Sequence, residues 1–63
     1  MTYHRIDRND GRETIEPREA MQIALAESGY YKRGVLEAIE LEVADTGCAS
    51  RLPTPDAYWE IRP

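Results

Sequence analysis

The fold of this chain is decided by one stretch, Val35-Leu36-Glu37-Ala38-Ile39-Glu40-Leu41-Glu42-Val43-Ala44-Asp45. From Ile39 to Val43, apolar and acidic residues alternate with period two, which is typical of a β-strand with one buried face. The same stretch also allows a helix, in which Leu36, Ile39 and Val43 form an apolar seam. Because a helix does not require the alternation, the pattern favours a strand over residues 35–45.

The segments that follow this stretch predict a loop and a further strand. Residues 46–57 are interrupted by Gly47, Pro53 and Pro55, which is typical of a loop. Residues 57–62 alternate again and place Trp59 and Ile61 on one face. A hairpin that pairs residues 35–45 with 57–62 would bury one set of apolar side chains: Ile39, Leu41, Val43, Trp59 and Ile61.

The segments that precede it predict a hairpin and a helix. Residues 3–8 alternate loosely and lead into Asn9-Asp10-Gly11, a turn signal, so two short strands are expected on either side of the turn. A helix over residues 17–28 is expected to begin at Pro17 and to end at Gly29. Its apolar stripe consists of Met21, Ala24 and Leu25, with Ser28 next in line.

These elements predict a single α+β domain over residues 1–63, with one helix packed on a small antiparallel sheet of three to four strands. A chain of 63 residues buries little apolar surface, and its only cysteine, Cys48, can form no internal disulfide. We therefore expect a bound partner or a homo-oligomer to supply stability. The single cysteine, the absence of an apolar run long enough for a membrane and the absence of a secretion-signal pattern predict a cytoplasmic protein, in the host cell if the chain is phage-encoded.

The negative charge of the chain is concentrated in one segment. Twelve acids and eight bases give a net charge of -4. Residues 1–18, 19–34 and 51–63 each sum to zero, so the excess lies entirely in residues 35–50, in Glu37, Glu40, Glu42 and Asp45. On a strand, Glu40 and Glu42 would point the same way about 7 Å apart, close to the spacing of phosphates along a nucleic-acid strand. Such a row could bind an Arg/Lys-lined groove, or it could be a solvated face that deters aggregation.

The tyrosines are candidate anchors beside this acidic segment. Tyr30 and Tyr31 precede Lys32 and Arg33, and Tyr and Arg are common in protein-binding hot spots. We expect Tyr30, Tyr31 and Tyr58 to contact a protein partner, although one tyrosine could instead belong to the core. Direct binding of nucleic acid is disfavoured, because two bases in a net-acidic chain are too few.

The sequence contains no pattern of a catalytic or metal site. His4 and Cys48 are single residues with no local partner for nucleophilic catalysis. Residues 7–13 hint at a calcium loop, but Gly11 stands at the fifth position where an EF-hand needs it at the sixth. We therefore expect no enzymatic activity, no cofactor and no metal.

In size, in acidity and in its acid-only stretch (Glu37, Glu40, Glu42 and Asp45), the chain resembles the small phage-encoded anti-CRISPR inhibitors. The resemblance implies binding to a basic nucleic-acid channel of a larger protein or ribonucleoprotein complex. Two alternatives remain open. One is a structural or regulatory subunit that dimerises through the exposed edge of strand 35–45. The other is a helix-turn-helix DNA-binding protein, although its second helix would carry glutamates toward the DNA.

Overall fold

Four strands and two helices make up the computed structural model, which describes residues 1–63. In chain order the elements are β1 (Thr2–Asp7), β2 (Glu13–Glu16), α1 (Arg18–Ser28), α2 (Val35–Thr46), β3 (Ser50–Pro53) and β4 (Ala57–Arg62). The strands form one antiparallel sheet in the order β2-β1-β4-β3. The predicted α+β fold and its small antiparallel sheet are confirmed, and the chain has a second helix in addition.

The first half of the chain follows its local sequence signals. The β1–β2 turn is fixed by Asp7, whose Oδ1 accepts a hydrogen bond from the backbone N–H of Asn9 at 2.7 Å. Helix α1 begins directly after Pro17 and ends at Gly29, which has a φ of 75° that suits glycine. The predicted hairpin and the predicted helix over 17–28 are therefore confirmed.

Residues 35–46 form helix α2, so the predicted strand over 35–45 is wrong. Leu, Glu and Ala, all good helix formers, supply seven of the residues between Val35 and Thr46. Leu36 and Val43 are buried on the helix, seven residues or two turns apart. The alternation from Ile39 to Val43 was misleading because Leu41, in its middle, is 73% exposed.

Both helices pack on the same face of the sheet, and the other face is not covered by any element. Met21 and Leu25 of α1 and Leu36 and Val43 of α2 join a buried cluster whose sheet side chains are Leu52, Ala57, Trp59 and Ile61. Alternate residues of β4 point away from this cluster (Tyr58, Glu60 and Arg62). The predicted burial of Val43, Trp59 and Ile61 is confirmed, Ile39 is partly buried, and the prediction for Leu41 is wrong.

The predicted hairpin between residues 35–45 and 57–62 does not form. Strand β4 lies between β1 and β3, with Trp59 opposite both Arg5 and Leu52. Strand β3 lies within the predicted loop over 46–57, and its Pro53 is tolerated because β3 is an edge strand. Since residues 35–45 are not a strand, a dimer through the edge of such a strand has no structural basis. Neither helix has the length and apolar character needed to cross a membrane.

Candidate interaction surfaces

Glu40 points inward and joins α2 to the rest of the fold. The Nε and Nη2 atoms of Arg18 donate hydrogen bonds to the two oxygens of Glu40, at 2.8 and 2.9 Å. The hydroxyl of Tyr3 donates to the same carboxylate from strand β1. One side chain of α2 therefore fixes the helix to α1 and to the sheet, and Glu40 does not share an outward row with Glu42.

The pKa values of Glu40 and of its two partners, Arg18 and Tyr3, are shifted from their ordinary values. Hydrogen bonds from Arg18, more than any other effect, hold the pKa of Glu40 below its ordinary value, and burial opposes the change. The same contact raises the pKa of Arg18. Burial and the neighbouring Glu40 carboxylate raise the pKa of the Tyr3 hydroxyl. Glu40 therefore remains a carboxylate that accepts hydrogen bonds within the molecule.

The other three acids of the segment lie on the solvent side of α2. We define the acidic α2 face as Glu37, Leu41, Glu42 and Asp45, all of which are exposed. Leu41 lies one turn from both Glu37 and Asp45, so the carboxylates surround an exposed apolar side chain. Glu37 approaches Arg18 only to 3.5 Å, whereas Glu42 and Asp45 form no ion pair.

The C-terminal end of α2 carries a negative charge that is unfavourable at this end of a helix. The last turn of a helix exposes carbonyl oxygens and attracts bases, but the last turn of α2 contains Asp45 and no base. Neither helix packing nor an ion pair accounts for Asp45 at this position. The charges of Glu42 and Asp45 on the acidic α2 face are therefore uncompensated within the chain, whereas Glu37 lies 3.5 Å from Arg18.

The three tyrosines predicted as anchors do not form one surface with the acidic α2 face, and only Tyr31 lines a pocket together with a residue of that face, Glu37. Tyr30 and Tyr31 line a groove with Arg8, at the end of the sheet. Tyr58 lies on the uncovered face of the sheet, where the guanidinium carbon of Arg8 is 4.1 Å from its ring centroid. Arg8 therefore links the tyrosines with one another, a role that the sequence pattern did not indicate.

Most charges on the uncovered sheet face neutralise one another. The two Nη atoms of Arg62 donate to the two oxygens of Glu13 at 3.2 and 3.1 Å, and its Nε donates to Glu60 at 2.5 Å. Arg51 reaches Glu60 at 3.2 Å from the neighbouring strand. These contacts with Arg62 lower the pKa of Glu13 and of Glu60. The uncovered sheet face therefore differs from the acidic α2 face, where Glu42 and Asp45 have no such partners and only Glu37 approaches an arginine.

The isolated nucleophile and base of the sequence are not brought together. His4 is buried beside Glu13 and Arg62, and its Nε2 lies 2.9 Å from the hydroxyl of Thr2. Cys48 is exposed after α2, and its hydrogen bonds go to Thr46. No group of three or more His, Cys, Asp or Glu side chains could hold a metal ion. Nothing in these contacts forms a catalytic arrangement.

Besides Arg8, sequence reasoning missed two residues of these surfaces, Leu41 and Arg18. Leu41 could have been found from a helical projection, which places it about 160° from Val43 and therefore away from the core. Arg18 gave no comparable signal, because it lies 22 positions before Glu40.

Comparison of the chain with protein-family models, curated proteins and solved structures finds no match.

Proposed function

We propose that this chain is a non-enzymatic binding protein whose acidic α2 face docks on a basic surface of a larger protein or ribonucleoprotein complex. The bound chain occludes that surface and excludes nucleic acid from it, as the resemblance to small phage-encoded inhibitors implies. The observation that carries the proposal is the set of exposed carboxylates around Leu41, with no base to balance Glu42 and Asp45.

The chemistry of this face suits such a partner. Carboxylates at one-turn spacing can accept charge-assisted hydrogen bonds from Arg and Lys, and they accelerate encounter with a positive surface. Leu41 adds an apolar contact that becomes buried in the complex, which gives the surface an uncharged centre. Glu40 is removed from the proposed contact residues because its oxygens already bind Arg18 and Tyr3.

Paired charge reversals test the proposal. We would immobilise the wild-type chain and the variant Glu42→Lys with Asp45→Lys, and quantify by mass spectrometry what each retains from a lysate of the native host. We expect the variant to retain the partner at least about tenfold less. With the purified partner, the wild-type chain should compete with nucleic acid for binding, and rising salt should weaken the complex.

The matched control is Glu19→Lys with Glu27→Lys. These two acids are exposed on α1, form no ion pair, and give the same change in net charge. Equal loss of partner in both double variants would mean that total charge, not the acidic α2 face, determines binding. Equal retention by all three proteins, or a partner that binds nucleic acid and this chain simultaneously, would contradict the proposal.

A helix-turn-helix DNA-binding function is supported less well than binding to a basic protein surface. Helices α1 and α2 are consecutive, as that alternative requires. However, a recognition helix lies against phosphates and base edges, and α2 would bring Glu37, Glu42 and Asp45 toward them. The sign of the charge on α2 therefore supports a basic protein surface as its partner.

A further inference from the structure

A groove of about 490 Å³ lies at the end of the sheet, and none of its lining residues belongs to the acidic α2 face. Three segments form it: Arg8 follows β1, Tyr30 and Tyr31 belong to the connection between the helices, and Pro53, Thr54 and Pro55 belong to the β3–β4 hairpin. Tyr30 is 74% exposed, more than any other large apolar side chain. The groove therefore combines an aromatic surface, two proline rings and one arginine.

The walls of the groove are held in place by hydrogen bonds. The backbone N–H and the hydroxyl of Thr54 both donate to the carbonyl of Ala57, at 2.8 and 2.9 Å. The hydroxyl of Tyr31 donates to the carbonyl of Pro53 at 2.6 Å. A surface that is already ordered loses little conformational entropy when it binds a ligand.

Arg8 is fixed but its charge is not neutralised. Its Nε donates to the carbonyl of Thr54 at 2.8 Å, and its Nη1 donates to the hydroxyl of Tyr58 at 3.2 Å. The guanidinium stacks on the Tyr58 ring and forms no ion pair. Since a guanidinium has five N–H groups, Arg8 retains donors that face the groove from a defined position.

From these contacts we propose that the groove binds an extended segment of a partner protein, in which a carboxylate side chain lies next to proline or another apolar residue. The carboxylate binds the free donors of Arg8. The apolar residue packs on Tyr30 and the proline rings, because aromatic grooves accept extended, proline-containing chains at a low entropic cost. This site shares no residue with the acidic α2 face.

The charge around the groove favours a protein segment over a nucleic acid. Arg51, the second arginine near Tyr58, is paired with Glu60. Lys32 and Arg33 line a different pocket, so Arg8 is the only base among the residues that line the groove. A nucleic-acid strand presents a phosphate at every nucleotide and requires several bases along its path. One uncommitted guanidinium beside apolar rings matches a single carboxylate in an otherwise uncharged segment.

NMR titration of the isotopically labelled full chain tests this site with two synthetic peptides. The probe is acetyl-Pro-Pro-Glu-Pro-Pro-Glu-amide, and its control is the same peptide with lysine in place of glutamate. We expect the acidic peptide to bind with a Kd on the order of 1 mM and to shift the Arg8 Nε–H, Tyr30 and Thr54 signals. The lysine peptide should leave these signals unchanged.

Three variants sharpen the result. Arg8→Gln and Tyr30→Ala should each weaken binding of the acidic peptide by about fivefold or more. Arg12→Gln removes an equal charge from another exposed arginine without an ion pair, and it should bind normally. Tyr30→Ala is the safeguard if Arg8→Gln disturbs the hairpin, because the Tyr30 side chain is largely exposed.

Four results would overturn the assignment. They are the absence of shifts at the groove, equal binding of the lysine peptide, tighter binding of an oligothymidine than of the acidic peptide, and shifts of the same signals on simple dilution. The third would identify a nucleic acid as the occupant and the fourth a second copy of the chain. None of them would affect the proposed binding through the acidic α2 face, which involves other residues.

Discussion

Glu40 and Glu42 stand two residues apart on α2, but they face different surroundings. The carboxylate of Glu40 accepts hydrogen bonds from Arg18 and Tyr3, whereas that of Glu42 forms no ion pair and lies in solvent. A helix turns by about 200° over two residues, so these two glutamates lie on opposite sides of α2. The inner side of α2 holds the fold together, and the outer side carries the charge proposed to bind a partner.

A pair of leucine variants gives the largest expected contrast between the two sides. Leu36→Ala empties a site that is 5% exposed and should lower the free energy of unfolding by about 2–5 kcal/mol. A domain of this size has only about 3–5 kcal/mol to lose, so this variant should be close to unfolded. Leu41→Ala removes the same atoms from the outer side and should cost about 0.5 kcal/mol or less. Urea denaturation followed by the fluorescence of buried Trp59 measures both; equal midpoints would contradict the assignment of inner and outer sides.

A pair of glutamate variants gives the next contrast. Glu40→Gln should lower the free energy of unfolding by about 1 kcal/mol at pH 7, because charge-assisted hydrogen bonds are lost. The effect is not larger because water reaches Arg18, whose side chain is 35% exposed, and screens the pair. Glu42→Gln should leave stability nearly unchanged. The same urea measurement compares the two with the wild-type chain, and a larger effect at Glu42 would be inconsistent with the contacts of α2.

The pH dependence of this contrast has a defined sign. In the fold, the pKa of Glu40 lies below its ordinary value of 4.5, to which it returns on unfolding. The stabilisation is therefore complete above about pH 4.5 and is lost as the pH falls through the lower, folded value. The gap between the wild-type chain and Glu40→Gln should narrow in that range. Other carboxyls with lowered pKa values, such as those of Glu13 and Glu60, are present in both proteins and cancel in the difference.

The parts of the fold that could be predicted are those specified by local sequence signals. Helix α1 was found because Pro17, the apolar stripe and Gly29 all indicate the same element within one window. In residues 35–45, five alternating residues competed with the helix propensity of the whole segment. The contacts that position α2 come from Arg18 and Tyr3, which are 22 and 37 positions away in the chain and lie outside any local pattern.

The candidate sites could be predicted only in part for the same reason. Counting charges located the uncompensated acids in the segment that forms α2, but only the helical geometry separates Glu40 from Glu37, Glu42 and Asp45. The groove around Arg8 joins residues from three separate segments, so the sequence indicated its tyrosines but not the arginine between them. For the acidic α2 face and for the groove, the sequence indicated which types of residue would be used. It did not indicate which of these residues lie together in space.

The smallest expected effect on stability is a gain, for Asp45→Lys, and this variant distinguishes a role of Asp45 in folding from a role in binding. Asp45 stands in the last turn of α2, where the helix carbonyls repel an acid and attract a base. Asp45→Lys should therefore raise the free energy of unfolding by about 0.3–1 kcal/mol, while it weakens binding to the proposed basic partner. Urea denaturation at low salt measures the first effect, and the retention assay measures the second. A variant that is both more stable and less active in binding would show that Asp45 serves the surface at the expense of the helix. Loss of stability would instead mean that Asp45 has a role within the fold, and the case for an acid selected for its partner would fail.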